Sequence, residues 1–265
     1  MKKLAALLFV GVIIGQANAQ TVTVTLSDGT NTITPILNEP VPGLTAYPGR
    51  HSFDARTGGA FADQDTRNIS SSYDGTVVNY AIDSGWQEVN NGGWTPQVVD
   101  GWLRVGSDGI GSQQNNVSWD EQYGGGYTSA VHSFQIRISE GDPTANDKAD
   151  GFGWKYVNSD LHGTTGAMYT AGEEPNLAGS LGVGFDIWNN GDMDNNATTS
   201  VSLHYDGALL KTVDLQSEVS PAFSLETGQP IDVTVAVTIP EPGSMSIMLL
   251  GMLGMVGMVR RKLRA

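Results

Sequence analysis

The sequence predicts an all-β protein built around one large β-sandwich, with a terminal segment of different character at each end. Glycine makes up 34 of the 265 residues and only 16% of residues are charged. Short strands joined by turns fit this composition better than helices, which need strong helix formers. Because the chain has no cysteine, the fold must bury a hydrophobic core that is stable without disulfides.

The first 19 residues are typical of a cleavable signal peptide. Lys2 and Lys3 precede an apolar run over residues 4–14, and Ala17-Asn18-Ala19 supplies the small-x-small pattern before the expected cleavage at Gln20. The alternative, an uncleaved anchor, would need about 20 apolar residues to cross a bilayer.

Residues 239–265 form a second signal. Pro240-Glu241-Pro242 is followed by an apolar stretch over residues 244–259 and then by four basic residues between positions 260 and 264. This order resembles the PEP-CTERM sorting signal of Gram-negative bacteria. The resemblance implies recognition by an exosortase-type enzyme, transient anchoring in the inner membrane by a helix over 244–259, cleavage near 240–242, and delivery to the cell surface or extracellular matrix. A plain C-terminal anchor is the alternative.

The remaining chain is strongly acidic. Without the basic residues of both signals and Glu241, eight basic and 27 acidic residues are left, which gives a net charge of −19. Such a surface repels the phosphates of nucleic acids and anionic lipids, so we expect no nucleic-acid partner. It suits neutral ligands and divalent cations, although acidity also serves solubility alone.

The first part of the domain divides into a clear hairpin and an irregular segment. Residues 20–37 alternate around Asp28-Gly29, a turn signal that predicts a β-hairpin. Residues 38–95 are rich in proline and glycine without sustained periodicity, which predicts a long surface segment that contains one strand over 75–82.

The remainder of the domain contains six candidate strands bounded by Gly, Asn and Asp clusters. In one of them, Phe134, Ile136 and Ile138 alternate with polar residues, which predicts a sheet with one buried face. The six candidates cover residues 98–107, 129–139, 150–158, 179–188, 199–207 and 229–239.

The stretch GFDIWNNGDMDNN, residues 184–196, places oxygen-bearing side chains at the end of a strand. The strand period directs Phe185 and Ile187 to the core, so that Asp186, Trp188 and Asn190 share the other face.

Such oxygen donors suit calcium, which takes six to eight oxygens in flexible geometry. Asp186, Asn190, either Asp192 or Asp194, and the Trp188 carbonyl can supply them. Zinc would require His or Cys ligands. The alternative is a simple turn, because Asn, Asp and Gly are the commonest turn residues.

Several segments in order resemble the L-type, legume-like lectins. FDIWNN followed by SVSLHYDG resembles their calcium-site segment, KADGFGW resembles their Ala-Asp-Gly segment, and FQIRIS, VVDGWLRV and NNVSWDE match preceding strands. The resemblance covers residues 97–207 and implies a concanavalin A-like (jelly-roll) β-sandwich over 96–238.

The resemblance also implies a calcium-dependent sugar site. Asp186 and Asn190 would bind Ca²⁺ through their side chains, Trp188 through its carbonyl, and Asp192 or Asp194 would add the next carboxylate.

The sugar itself would be held by a partly separate set of groups. The Asn190 amide would donate to a sugar hydroxyl, and Asp150 would accept from two hydroxyls after a cis Ala149–Asp150 bond. The Trp188 ring would stack on the sugar, and Gly163 or Gly166 would offer a backbone N–H.

Two departures from the lectin pattern bear on these implications. Gly184 and Ser200 stand where the family places the Glu and His of a second metal site. Only about 30 residues remain after residue 207, so either residues 20–95 supply strands to the sandwich or the sandwich is abbreviated.

The favoured function is therefore non-enzymatic, calcium-dependent binding of exopolysaccharide or cell-surface glycans. A structural matrix protein without binding activity is the alternative. A glycoside hydrolase of the same fold is disfavoured, because it would need a strand with paired carboxylates and Gly184 stands at the best position. Glu173 and Glu174 are expected in a solvated loop, and His204 on the surface.

Overall fold

Two antiparallel sheets make up the protein in a computed structural model that describes residues 19–139, 148–189 and 197–240. All described strands fall within one unit, Gln20–Ile239. The strands are β1 Thr21–Ser27, β2 Thr32–Pro40, β3 Gly49–Arg56, β4 Gln64–Tyr73, β5 Thr76–Tyr80, β6 Trp86–Val89, β7 Gln97–Val99, β8 Trp102–Gly106, β9 Gln114–Trp119, β10 Ser129–Ile138, β11 Gly151–Asn158, β12 Leu181–Asp186, β13 Ser200–Tyr205, β14 Ala208–Asp214 and β15 Ile231–Thr238, with one short helix, α1 Ser159–His162.

The strand order differs between the sheets. The first sheet runs β2-β1-β15-β10-β4-β8-β7, and β5 also pairs with β4. The second runs β14-β13-β12-β11-β3-β9-β6. The first and last strands, β1 and β15, are direct neighbours.

Most of the sequence-predicted strands are confirmed. Five of the six candidates and the strand within 75–82 are present, and residues 20–37 form the predicted hairpin of β1 and β2. The prediction of one strand over 98–107 is wrong, because a turn at Asp100 and Gly101 divides this segment into the antiparallel strands β7 and β8. The Asp28 carboxylate closes the hairpin by accepting from the backbone N–H of Thr30 at 2.8 Å and of Asn31 at 2.7 Å.

The prediction that residues 38–95 form a surface segment is wrong. This segment supplies β3 to the middle of one sheet and β4 to the other, and most of their residues are buried. The pattern is hidden because β3 carries polar side chains on both faces. His51 bonds Ser71 at 2.7 Å within the core, while Asp54 pairs with Lys155 on the opposite face.

The core lies between the two sheets. Phe134 of one sheet contacts Phe53 of the other with ring centroids 5.1 Å apart, and Trp154 at 5.5 Å. The predicted core faces are confirmed, since Ile136 and Phe185 are both fully buried within this cluster.

Both terminal signals fall largely beyond this domain. The signal peptide, apart from Ala19, and the predicted helix over 244–259 lie outside the described residues. Within the described ranges, no helix has the length and hydrophobicity needed to span a bilayer.

Candidate functional site

Three strand ends meet at one edge of the seven-stranded sheet. Gly151, the first residue of β11, pairs with Asp186 at the end of β12 on one side and with Arg56 at the end of β3 on the other. Asp150 precedes Gly151 directly, and the Ala149–Asp150 peptide is cis, as the lectin resemblance implies. The register therefore places Gly151 between Arg56 and Asp186, with Asp150 next to all three.

The Asp150 carboxylate is largely buried and faces a cation. Its Oδ2 lies 3.2 Å from Nε of Arg56, and both its oxygens lie 3.3 Å from where a Cβ on Gly58 would stand. The backbone fixes this position, because Asp150 N–H donates to Arg56 O at 3.0 Å and Ile187 N–H donates to Asp150 O at 3.1 Å. Burial raises the pKa of Asp150, and the neighbouring guanidinium acts against that rise.

The same guanidinium holds a second carboxylate, which the sequence did not reveal. Arg56 Nη1 lies 3.2 Å from Glu173 Oε1. The prediction of a solvated loop is wrong for Glu173, whose side chain is only 1% exposed. Burial, the largest cause, raises the pKa of Glu173 to about 8, and Arg56 opposes this.

Residues 171–175 are here called the covering segment. This segment packs closely on a face of the sheet where β11 and β12 carry glycines, and its packing there buries Glu173. A Cβ on Gly151 would stand 2.6 Å from Glu173 Cβ, and one on Gly182 would stand 2.8 Å from Pro175 O. At Gly153 and Gly184 an added Cβ would overlap the carbonyl oxygens of the covering segment. The GFG and GVG repeats on neighbouring strands were the signal for this arrangement.

A tyrosine completes this group. The Tyr169 hydroxyl is buried and has no hydrogen-bond partner among the described residues. Burial raises its pKa, and the carboxylates of Asp54, Glu173 and Asp150 add to the rise while Arg56 opposes it.

Asp186 and Trp188 form the other half of the edge. Trp188 N–H donates to Asp186 Oδ1 at 2.8 Å, which fixes the start of the loop. The Trp188 side chain is half-buried and lines a cleft of about 540 Å³. The described residues that line this cleft are Lys148, Ile187, Trp188, Asn189, Thr198 and Glu226.

Gly163 and Gly166 are held away from this edge, and the other predicted residues fall in a part of the chain that the structure does not describe. Asn190, Asp192 and Asp194 lie outside the described residues. The Gly166 carbonyl instead accepts from Arg50 Nη1, and the Gly163 carbonyl accepts from Arg50 Nε at 3.0 Å.

Gly166 and Asp150 contact different arginines of β3, Arg50 and Arg56, and the distance between these arginines shows how far apart the two residues lie. Arg50 and Arg56 stand six residues apart on one strand, a backbone distance of about 20 Å at the rise of a strand. Gly166 and Asp150 are thus held toward opposite ends of β3.

The donor chemistry of this edge suits a hard cation only in part. Asp186 supplies one carboxylate, and the described residues hold no group of three or more His, Cys, Asp or Glu that could bind a metal.

The prediction that His204 lies on the surface is wrong. Its imidazole is buried, with Nδ1 2.7 Å from Asn176 Oδ1 and Nε2 2.7 Å from Ser202 Oγ. The residues after the covering segment conceal this face of β13, so alternation along the strand alone could not identify the buried side.

A family model describes one end of the chain. The PEP-CTERM protein-sorting motif matches residues 238–264, in agreement with the signal expected there. The chain is therefore an exported protein that exosortase-type enzymes recognise and that is sorted at the membrane toward the surface. No curated protein and no solved structure matches the chain.

Proposed function

We propose that the protein is a calcium-dependent, carbohydrate-binding component of the cell surface or its polysaccharide matrix. One observation carries the proposal: Asp186 pairs in register with Gly151, the residue after Asp150, and Trp188, two residues beyond Asp186, lines an open cleft. The two antiparallel sheets and the order of the sequence motifs support a concanavalin A-like jelly-roll as the scaffold.

The binding chemistry assigned to this edge is simple. Asp186, the Trp188 carbonyl and the oxygen donors of residues 190–194 would hold Ca²⁺, which would stiffen the loop after β12. The Trp188 ring, half-buried at the cleft, offers an apolar face to the C–H face of a sugar. The Lys148 and Glu226 side chains, 3.9 Å apart, offer a donor and an acceptor to hydroxyls.

We expect each site to be weak, with a dissociation constant in the millimolar to micromolar range, about −4 to −8 kcal/mol. Many copies on one surface would bind a repeating glycan by avidity. The proposal is of binding rather than hydrolysis, because glycine stands at position 184, where a hydrolase of this fold would place a carboxylate.

One observation favours the alternative of a structural matrix protein. The Asp150 carboxylate is engaged by Arg56 and only 9% exposed, so it is poorly placed to accept sugar hydroxyls. In that case the fold would be a scaffold whose sorting signal alone sets its location.

The experiment compares the full chain with Asp186→Asn and with Asp160→Asn, an exposed control that removes the same charge. We expect millimolar calcium to raise the melting temperature of the wild type and the control but not of Asp186→Asn. Electrophoresis through gels that contain surface polysaccharide should show calcium-dependent retardation with the same pattern. Equal melting temperatures in calcium and in chelator would overturn the calcium site, and equal mobility of all three proteins would favour the structural alternative.

A further inference from the structure

A second cleft opens on the other sheet, where β4 changes partners. On one side β4 pairs with β8 through residues 64–66 and with β5 through residues 69–73. Arg67 and Asn68 lie between these two ladders and pair with neither strand. A cleft of about 400 Å³ is found at this gap, lined by Arg67, Asn68, Ser70, Asn79, Ile82 and Gly101 among others.

A β-bulge directs polar groups into this gap. The register between β4 and β10 shifts between Ser133 and Gln135, and Asn68 adopts a left-handed conformation with φ 53°. The bulge lets Arg67 and Asn68, which are neighbours in sequence, both donate to Gln135 Oε1, at 2.8 and 3.1 Å. Bulges commonly re-aim side chains at binding sites.

Arg67 differs from the other cations of the described domain. Each of the others contacts a carboxylate or, for Arg50, backbone carbonyls. Arg67 uses only Nε, toward Gln135, and its two Nη groups have no acceptor among the described residues.

The guanidinium of Arg67 is held in place by packing. Its Cζ lies 3.9 Å from the ring centroid of Trp102, which is itself 3% exposed. A stacked guanidinium keeps its N–H edge available while it loses side-chain freedom, which favours bidentate recognition of a carboxylate.

The groups beside Arg67 suit hydroxyls rather than a simple anion. Ser70 and Asn79 face each other across β4 and β5, and both line the cleft. Hydroxyl and amide groups next to a guanidinium match the polar edge of a sugar that carries a carboxylate.

We propose that this cleft binds a uronic-acid residue of an acidic polysaccharide, with its carboxylate on the Nη edge of Arg67 and its hydroxyls on Ser70 and Asn79. The site is separate from the calcium-dependent edge and needs no metal. Asp83 and Asp100 flank the cleft in the sequence, so recognition rests on short-range contacts rather than on long-range attraction. We therefore expect weak binding, because the contact with Arg67 must overcome the repulsion between an acidic protein and an acidic polysaccharide.

The test is affinity electrophoresis of the full chain, in chelator, through gels that contain polygalacturonate or, for comparison, neutral dextran. We expect retardation by polygalacturonate alone. Asn79→Asp, an exposed change that adds a carboxylate to the cleft, should weaken binding about tenfold, equivalent to about 1.4 kcal/mol. Gln229→Glu adds the same charge at an exposed position elsewhere and should bind as the wild type does.

A second pair of variants tests the cation directly. Arg67→Gln should remove retardation, whereas Lys211→Gln, which removes a cation paired with Glu39 at 2.8 Å on another part of the surface, should not. Equal retardation of Asn79→Asp and wild type would overturn the proposal. Competition by inorganic sulfate as effective as that by galacturonate oligomers would also overturn it, since the site would then bind any oxyanion. Because chelator is present throughout, loss of the calcium-dependent site leaves these results unchanged.

Discussion

The Arg56 guanidinium lies 3.2 Å from the Asp150 carboxylate and is the charged group that fixes this residue at the edge of the sheet. The same side chain reaches Glu173 at 3.2 Å and is 38% exposed. One partly exposed guanidinium thus contacts two buried acidic side chains, Asp150 and Glu173.

Arg56→Met should destabilise the fold. Removal of the guanidinium leaves the buried Asp150 carboxylate uncompensated, and loss of one partner costs about 3 to 5 kcal/mol when a pair is fully buried. Because Arg56 is partly exposed, solvent screening reduces the expected loss to about 2 kcal/mol. Urea unfolding measures it, and Lys211→Gln, which breaks a surface pair, should cost under about 1 kcal/mol. Equal losses for the two variants would contradict the role given to Arg56.

Glu173→Gln should make stability less dependent on pH between about 4.5 and 8. The pKa of Glu173 is about 8 in the folded protein against 4.5 in the unfolded chain. Its contribution is fully present below pH 4.5 and is lost as the pH rises through 8, at up to about 1.4 kcal/mol per pH unit. The variant stays neutral, so its advantage in melting temperature over the wild type should grow between pH 5 and pH 9. Exposed Glu88→Gln should show no such trend.

Gly184→Ala should displace the covering segment. The added Cβ would overlap the Glu173 carbonyl oxygen and the Ser202 hydroxyl, so we expect a loss of about 3 kcal/mol, as for severe overpacking. Limited proteolysis should show new cleavage between residues 163 and 180. Gly59→Ala is the matched control, because nothing lies within 4 Å of its added Cβ.

Acid should destabilise the protein through its buried histidines. Burial lowers the pKa of His132 to about 3 and of His204 to about 4, from 6.5 in the unfolded chain. Stability is therefore retained above pH 6.5 and falls as the pH drops toward these values, by up to about 1.4 kcal/mol per pH unit for each group. Unfolding measured between pH 7 and 4.5 checks this. For His204→Asn the fall should be shallower, and an unchanged slope would contradict the prediction.

Sequence patterns predicted the fold well where each strand has one apolar face. β10 and β15 alternate cleanly, because one face meets the core and the other meets solvent. β3 escaped detection because both its faces are buried, and β4 because its buried face carries polar residues; these polar groups satisfy one another, as in the bond between His51 and Ser71.

The candidate site was predictable only in part. The pairing of β11 with β12 brings the start of one strand beside the end of the other, which places Asp150 near Asp186 and Trp188. The sequence motifs identified these two strand ends. Glu173 was missed because its burial depends on a loop that folds back over glycines. Gly166 was misplaced because its loop is tied to Arg50, a contact between residues that are 116 positions apart and carry no local signal.

The adjacency of β1 and β15 affects when the protein can fold. β15 fills the gap between β1 and β10, so the larger sheet stays open until the last strand of the domain arrives. Synthesis runs from the N-terminus, and contacts between the chain's two ends form slowly. We expect an exported chain with this topology to cross the membrane before its larger sheet has formed completely. The sheet would then be completed on the far side, when β15 pairs with β1 and β10.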